Sequence, residues 1–314
     1  MKKILVLFEH FGRFASYALP LGLVVGLLIP AIADSLNALL IPTLFISLTL
    51  SLVCTPTDKI ISSFLRVKLL IVAVLWILVC SPILVSLFVS FIDIDESIVL
   101  AVTLAVAASP VTATAAIAIF LKLDSAIAAC VTVLSTLLVP ITLPLVFHYF
   151  VSTNLELSLW SIGLQLLIFI LMSFAGAVLL KKILGEKKIA QHKLVFDGIS
   201  VLSISLFTIG IMSGLSSMLI SDPWFVFENL VVSSTLVFGL YCVTSIVFWR
   251  AGANSAMAIS IAGGNCNLGL MYLVLVNKVD QEVLTFFSVG QIPMYLLPSL
   301  LTPLVAKLRQ ETTA

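Results

Sequence analysis

Two short clusters hold most of the polar chemistry of this chain: Ser109-Pro110-Val111-Thr112-Ala113-Thr114 and Gly263-Gly264-Asn265-Cys266-Asn267. Each interrupts an apolar run, Ile98–Leu121 and Ala253–Val276, that is long enough to cross a membrane. Pro110 has no N–H and clashes with the turn before it, so a helix must open there. The half-helix after such a break turns free N–H groups and a positive dipole end towards an anion, and the half before it offers carbonyls to a cation. The second cluster relies on Gly263 and Gly264 to open its helix. Asn265 and Asn267 each donate and accept, which suits an ion or a hydrogen-bonded ligand. Thr132 and Thr136 lie one turn apart on one face of the next run, and Gln291 with Tyr295 and Pro298 forms a weaker set. Candidate substrate contacts are therefore Pro110, Thr112, Thr114, Asn265, Asn267 and Gln291. Thr132, Thr136 and Asn265 are candidate ion ligands, and Ser109, Pro110, Gly263 and Gly264 mark the breaks.

Each feature also has a plain structural reading. A proline kink is re-satisfied by threonine hydroxyls, glycines and amides join helices, and threonines bond back to their own helix. Two interrupted runs favour the binding reading. What the runs lack narrows the class. No Asp, Glu, Lys, Arg or His lies deep in any of them, and His148 and Asp197 sit near ends. An intramembrane hydrolase needs a nucleophile with its base, or a metal cluster, so an enzyme is not expected. A carboxylate proton relay is missing too. Cys54, Cys80, Cys130, Cys242 and Cys266 are scattered without a C-x-x-C pair and read as reduced, structural residues. No cofactor is expected. A coupling ion such as sodium would be held by hydroxyls, amides and carbonyls.

The surrounding chain is 61% hydrophobic and 10% charged, with a mean hydropathy of +1.26. These values belong to an integral membrane protein. Its net charge of +1 comes without a basic stretch interleaved with aromatics, so no nucleic-acid partner is expected. Lys2-Lys3 and Ile4–Phe8 resemble the start of a signal segment, but Glu9, His10 and Arg13 interrupt it. That start reads as a short cytoplasmic segment.

Ten apolar runs follow: Ser16–Ala33, Leu36–Val53, Leu69–Phe91, Ile98–Leu121, Ala126–Phe150, Leu159–Leu180, Gly198–Leu219, Leu230–Trp249, Ala253–Val276 and Val283–Val305. Asp34, Ser35 and Asn37 mark a turn between the first two. With the N-terminus inside, 15 of the 16 Lys and Arg residues fall in inner segments, leaving Lys278 outside. The outer segments are acidic, with Asp34, Asp93, Asp95, Glu96, Glu156, Asp222, Glu228, Asp280 and Glu282. The chain divides into residues 1–150, an external linker at 151–158, and residues 159–314. Five spans per half require opposite topologies, and the broken runs hold the fourth place in each. The expected fold is all-α: ten transmembrane helices in two inverted five-helix repeats, with broken, crossing helices four and nine. Such paired breaks point to the binding site of a secondary transporter.

The segment from Ala108-Ser109-Pro110 to Asp124, with Val133-Leu134-Ser135-Thr136-Leu137-Leu138-Val139-Pro140, resembles the bile acid:sodium symporter family. Asn267-Leu268-Gly269-Leu270 resembles the run after that family's second break, and Phe286-Phe287-Ser288-Val289 before Gln291 is a looser echo. The wider superfamily includes riboflavin, arsenite and auxin-type carriers. The resemblance implies ten spans with crossing breaks and transport of a small organic anion by alternating access. It departs where sodium-coupled members carry Ser-Asn after the first break and Glu with Gln at the second. Here those places hold Ala115-Ala116, Ala262 and Cys266. Of the ion ligands Thr132 carries over, and Asn267 keeps a binding-region amide. Val111 follows Pro110 where the arsenite branch has Cys, which argues against arsenite. Sodium symport and a sodium-independent uniporter or efflux carrier, auxin-efflux-like, both remain open. A channel or regulatory membrane protein is the alternative of another class. The expected setting is a bacterial-type inner membrane, as a monomer or homodimer in lipid.

Overall fold

A computed structural model describes residues 15–55, 66–150 and 159–296. The N-terminal segment, the 151–158 linker and the end of the tenth run, with Pro298, lie outside the described residues. All regular structure among the described residues is helical, apart from a single isolated β-bridge. Among the described residues, five helices are long and apolar enough to cross a membrane, or six if one sharply bent pair is a single span.

That pair is α1 (Ala15–Leu28) and α2 (Pro30–Asn37). The chain bends by 106° between them. Pro30 sets the corner: it cannot extend a helix backwards, but it starts one well. The first run is thus not one straight span. Asp34, Ser35 and Asn37 are helical, and the turn comes at 38–39, before α3 (Leu40–Cys54).

The third run is continuous through α4 (Val67–Leu75), a π-turn at Trp76–Cys80 and α5 (Ser81–Val89). Pro82 lacks the N–H that would continue the α-ladder, and the wider turn ahead of it absorbs the mismatch. The fourth run splits into α6 (Glu96–Val106) and α7 (Thr114–Phe120), and α8 (Ser125–Phe150) follows. Pro140 and Pro144 lie inside α8 without ending it. At Gly163 in α9 (Leu159–Leu184), a Cβ would lie 2.6 Å from the Pro140 carbonyl oxygen, so only glycine lets the two helices meet there.

After α10 (Glu186–Gln191) comes α11 (Lys193–Gly210), then α12 (Leu215–Ser221). Gly214, at φ +79°, makes the left-handed joint between these last two. The rest are α13 (Pro223–Val247), α14 (Ala253–Gly264), α15 (Leu268–Leu275) and α16 (Gln281–Val289), with a further helical stretch at 291–296.

The helices pack in two groups. In one, α11 lies against α1 and α3, and α9 against α3. In the other, α13 packs on α14 and α16, α8 on α7 and α14, and α6 on α16. These groups are two layers: the first comes from the first, second, sixth and seventh runs and the second from the described parts of the others, and α8 packs closely on α9 across the two. Outward faces are oily, as at Leu164, Ile168, Leu171 and Ile183, each at least half exposed. In a membrane these faces meet lipid.

Candidate functional site at a helix crossing

The two breaks meet. Pro110 and Cys266 form an antiparallel bridge, in which the Val111 amide donates to the Asn265 carbonyl (2.7 Å) and the Asn267 amide donates to the Ser109 carbonyl (2.8 Å). A broken helix leaves backbone groups without ladder partners, and in an apolar interior each costs free energy unless paired. Here each break supplies the other's partners.

Local sequence explains the ends. At the first break, the Thr114 amide and hydroxyl both donate to the Val111 carbonyl, which closes the turn into α7. At the second, the Asn267 carboxamide oxygen accepts from the Leu270 amide (3.1 Å), capping α15. The N–H groups of Val111, Thr114, Asn267 and Leu270 are therefore used within the crossing. That removes part of the anion-binding capacity expected of the half-helix starts.

Gly263 and Gly264 sit in the last turn of α14, and the chain leaves the helix just after them, at Asn265. Neither has a positive φ. Their service is space: a Cβ on Gly263 would lie 2.9 Å from the Thr244 hydroxyl, and one on Gly264 only 2.2 Å from the Tyr241 ring. Two glycines thus seat α14 on α13.

Asn265 is fully buried, and neither its amide nitrogen nor its oxygen has a hydrogen-bond partner. The Ser109 hydroxyl beside it is also buried and unpaired. Tyr241 reaches towards the Asn265 amide without closing a bond of good geometry. Unpaired polar groups in a membrane interior are costly and mark places of function.

Beside the crossing, a cleft runs between the two layers. Thr112 lines two parts of it. One, of about 440 Å³ including its open mouth, is bounded by Leu48 and Ser51 of α3, Thr55 just past its end, Thr132 and Thr136 of α8, and Phe174 of α9. The other, of about 260 Å³, adds Asn267 to Thr112, with Leu44, Phe169 and Ile204. So Thr112 is shared by the two cavities, with Thr132 and Thr136 lining the larger and Asn267 the smaller. The Thr132 and Thr136 hydroxyls donate back to the Ala128 and Thr132 carbonyls, which is the structural reading of that stripe. Gln291 is buried, donates weakly to the Phe287 carbonyl (3.4 Å), and lines neither cavity. Ser51, Thr55 and Phe174 were not singled out from sequence. Two hydroxyls four residues apart and a lone phenylalanine in an apolar run are too common to stand out.

A model of the sodium bile acid symporter family matches residues 41–223, more than half of the chain. The chain belongs to that family. Its members are membrane transporters, and with the apolar helices this makes the protein a multi-pass integral membrane protein. The match takes in the first break and α8, and stops before the second break. No curated protein matches the sequence.

Proposed function

We propose that this protein is a secondary transporter that carries a small organic anion across a bacterial-type inner membrane by alternating access. The observation that carries the reading is the backbone-paired crossing of two breaks on the wall of an interlayer cleft. Rocking one layer against the other exposes such a cleft to each side in turn while the crossing stays intact. The division of runs one and two, six and seven against the rest supports ten spans in two inverted halves. So does the meeting of segments assigned to one side. Arg66, Asp124 and Ser255 join at inner ends, and Asp34, Asn37 and Ser213 at outer ones.

The layers are closed together at one end. Lys278 donates to Gln165 (2.5 Å), and the Ser288 hydroxyl donates to the Ile211 carbonyl (2.7 Å). Gln281 abuts Gly214 at that end as well. At the opposite end the larger cavity reaches Thr55, whose carbonyl accepts from the Lys181 ammonium (3.1 Å). On the charge-based orientation this state faces inward, and Lys181 places a cation at the mouth for an anionic substrate.

A sodium-independent carrier is the reading favoured by the crossing's own side chains. Ala262 and Cys266 are buried there, and the Cys266 thiol donates weakly to the Gly263 carbonyl (3.9 Å). The candidate oxygens, Ser109, Thr132, Thr136 and the Asn265 carboxamide, are all neutral, whereas strong sodium ligation in an apolar interior calls for a carboxylate.

Uptake by proteoliposomes tests both statements. Labelled organic acids should enter, and collapsing an imposed sodium gradient should change the rate by less than about twofold, a difference of under about 0.5 kcal/mol. If no acid moves under any gradient, the transport reading fails. A large sodium response would overturn the sodium-independent reading.

A further inference from the structure

The inner end of the first layer carries positive charge that the protein itself does not use. Between residues 181 and 197 stand five lysines, Lys181, Lys182, Lys187, Lys188 and Lys193, against two acids, Glu186 and Asp197. Lys193 pairs with Asp197 (2.7 Å), and Lys181 donates to the Thr55 carbonyl (3.1 Å). Lys182, Lys187 and Lys188 are exposed, and among the described residues their ammonium groups meet neither an acid nor an acceptor. Glu186, beside them in the chain, binds none of the three. The second layer treats its inner cations differently. Arg66 is held by Asp124 and Ser255, and Arg250 lies over the Trp249 ring (5.4 Å).

The helices fix where the three lysines stand. α9 ends at Leu184, Gly185 turns the chain at φ +76°, and α10 packs on α9, α3 and α11. Ile189 pins α10 by joining Val53 and Ala177 in a small apolar cluster. Lys187, two residues earlier, is on the opposite side of that helix and faces away from the protein. Lys182 ends an oily stripe. Leu179 and Ile183, more than half exposed, flank it on α9 and continue the face of Leu164, Ile168 and Leu171. In a membrane that face meets acyl chains, and the unused charge begins where the stripe stops.

We propose that Lys182, Lys187 and Lys188, with Leu179 and Ile183, form a binding site for an anionic phospholipid of the inner leaflet. The phosphate is held among the three ammonium groups, and the acyl chains lie along α9. A soluble phosphate would use the lysines and leave the apolar stripe unused, so the membrane lipid is the better match. The site rests on the orientation drawn from charge and on no particular substrate. It ties the first layer to one leaflet beside the Thr55 mouth of the larger cavity.

The test follows the melting temperature of protein purified in neutral detergent as dioleoylphosphatidylglycerol or dioleoylphosphatidylcholine is added in mixed micelles. Phosphatidylglycerol should stabilise at the lower mole fraction. Lys182→Gln, Lys187→Gln and Lys188→Gln should each raise the amount needed by about fivefold, the scale of one lysine at an anionic surface. The variant with all three should answer the two lipids alike, and arginine at the same three places should retain the preference. Lys122→Gln and Arg250→Gln, basic positions of the second layer, should leave it unchanged. Inorganic phosphate and glycerol 3-phosphate, at matched phosphate concentration, should not stabilise. The lipid-free melting temperature of each variant reports folding separately, and the three single variants carry the prediction if the combined one does not fold. Equal response of the unaltered protein to both lipids overturns the proposal, as does a preference that survives all three glutamines. Equal loss in the second-layer variants would reduce it to general surface charge, and stabilisation by phosphate alone would make it a soluble-anion site; either result overturns it. Binding is read without flux, so a missing lipid preference leaves the transport reading standing, and absent uptake leaves this one standing.

Discussion

The Val111 amide and the Asn265 carbonyl, from two helix breaks far apart in sequence, are joined by a hydrogen bond of 2.7 Å. With its companion between Asn267 and Ser109 (2.8 Å), it ties the first half of the chain to the second at a point where neither helix can satisfy itself. The crossing thus behaves as one rigid object, and what binds beside it is presented to both half-chains.

The two asparagines of the second break should separate stability from transport. Asn267 caps α15, so Asn267→Ala should cost about 1 kcal/mol, seen as a lower melting temperature, while Asn267→Ser, another good cap, should not. The buried Asn265 amide has no bond to lose, so Asn265→Ala should leave the melting temperature near wild type and still lower uptake. Full uptake by Asn265→Ala would reduce that amide to packing.

Gly264 should tolerate no side chain. A Cβ there would meet the Tyr241 ring at 2.2 Å, an overlap of the kind that costs about 1–3 kcal/mol. Gly239, in the partner helix α13, has nothing within 4 Å of its would-be Cβ, and Gly239→Ala should be neutral or stabilising by up to about 1 kcal/mol. Thermal unfolding of the two alanine variants in one detergent makes the comparison.

Lys278 and Gln165 join the two layers at the closed end. Gln165→Glu turns this contact into an ion pair, which should favour the closed state and slow uptake by about twofold to fivefold, the worth of an exposed pair. High salt should restore the rate, because screening reaches such charges. A slow rate that salt leaves untouched would point away from this contact.

At the other end, Asp124 does three things. It accepts from Arg66 (3.2 Å) and from the Ser255 hydroxyl (3.4 Å), and it caps α8 at the Ile127 amide (3.2 Å). Arg66 is largely exposed, so Arg66→Ala should cost less than about 1 kcal/mol. Asp124→Ala loses the cap as well and should cost about 1 kcal/mol more. Equal melting temperatures for the two variants would contradict this division.

Pattern alone made much of this molecule legible. Apolar runs too long for anything but membrane helices, charges sorted by side, Pro110 and the Asn265–Asn267 stretch were all visible, because hydropathy and backbone chemistry are local properties. Family membership was legible in the residues of the first break and α8. The corner at Pro30 and the joint at Gly214 were not, since a proline or glycine in an apolar run bends a helix only as far as its neighbours allow. The service of Gly263 and Gly264 was likewise hidden, because the groups that need their space, Thr244 and Tyr241, come from another helix.

The sequence by itself determined that this chain is a helical membrane protein with two polar interruptions, since continuous apolar runs of about 20 residues fit spanning helices and are far too long for barrel strands. Only the tertiary structure decided that the interruptions pair with each other, and that the threonine hydroxyls of α8 are spent on their own helix while still facing the cleft. Where a hydrogen bond goes depends on which partner is within about 3 Å, and for residues so distant in the chain that distance exists only once the helices have packed.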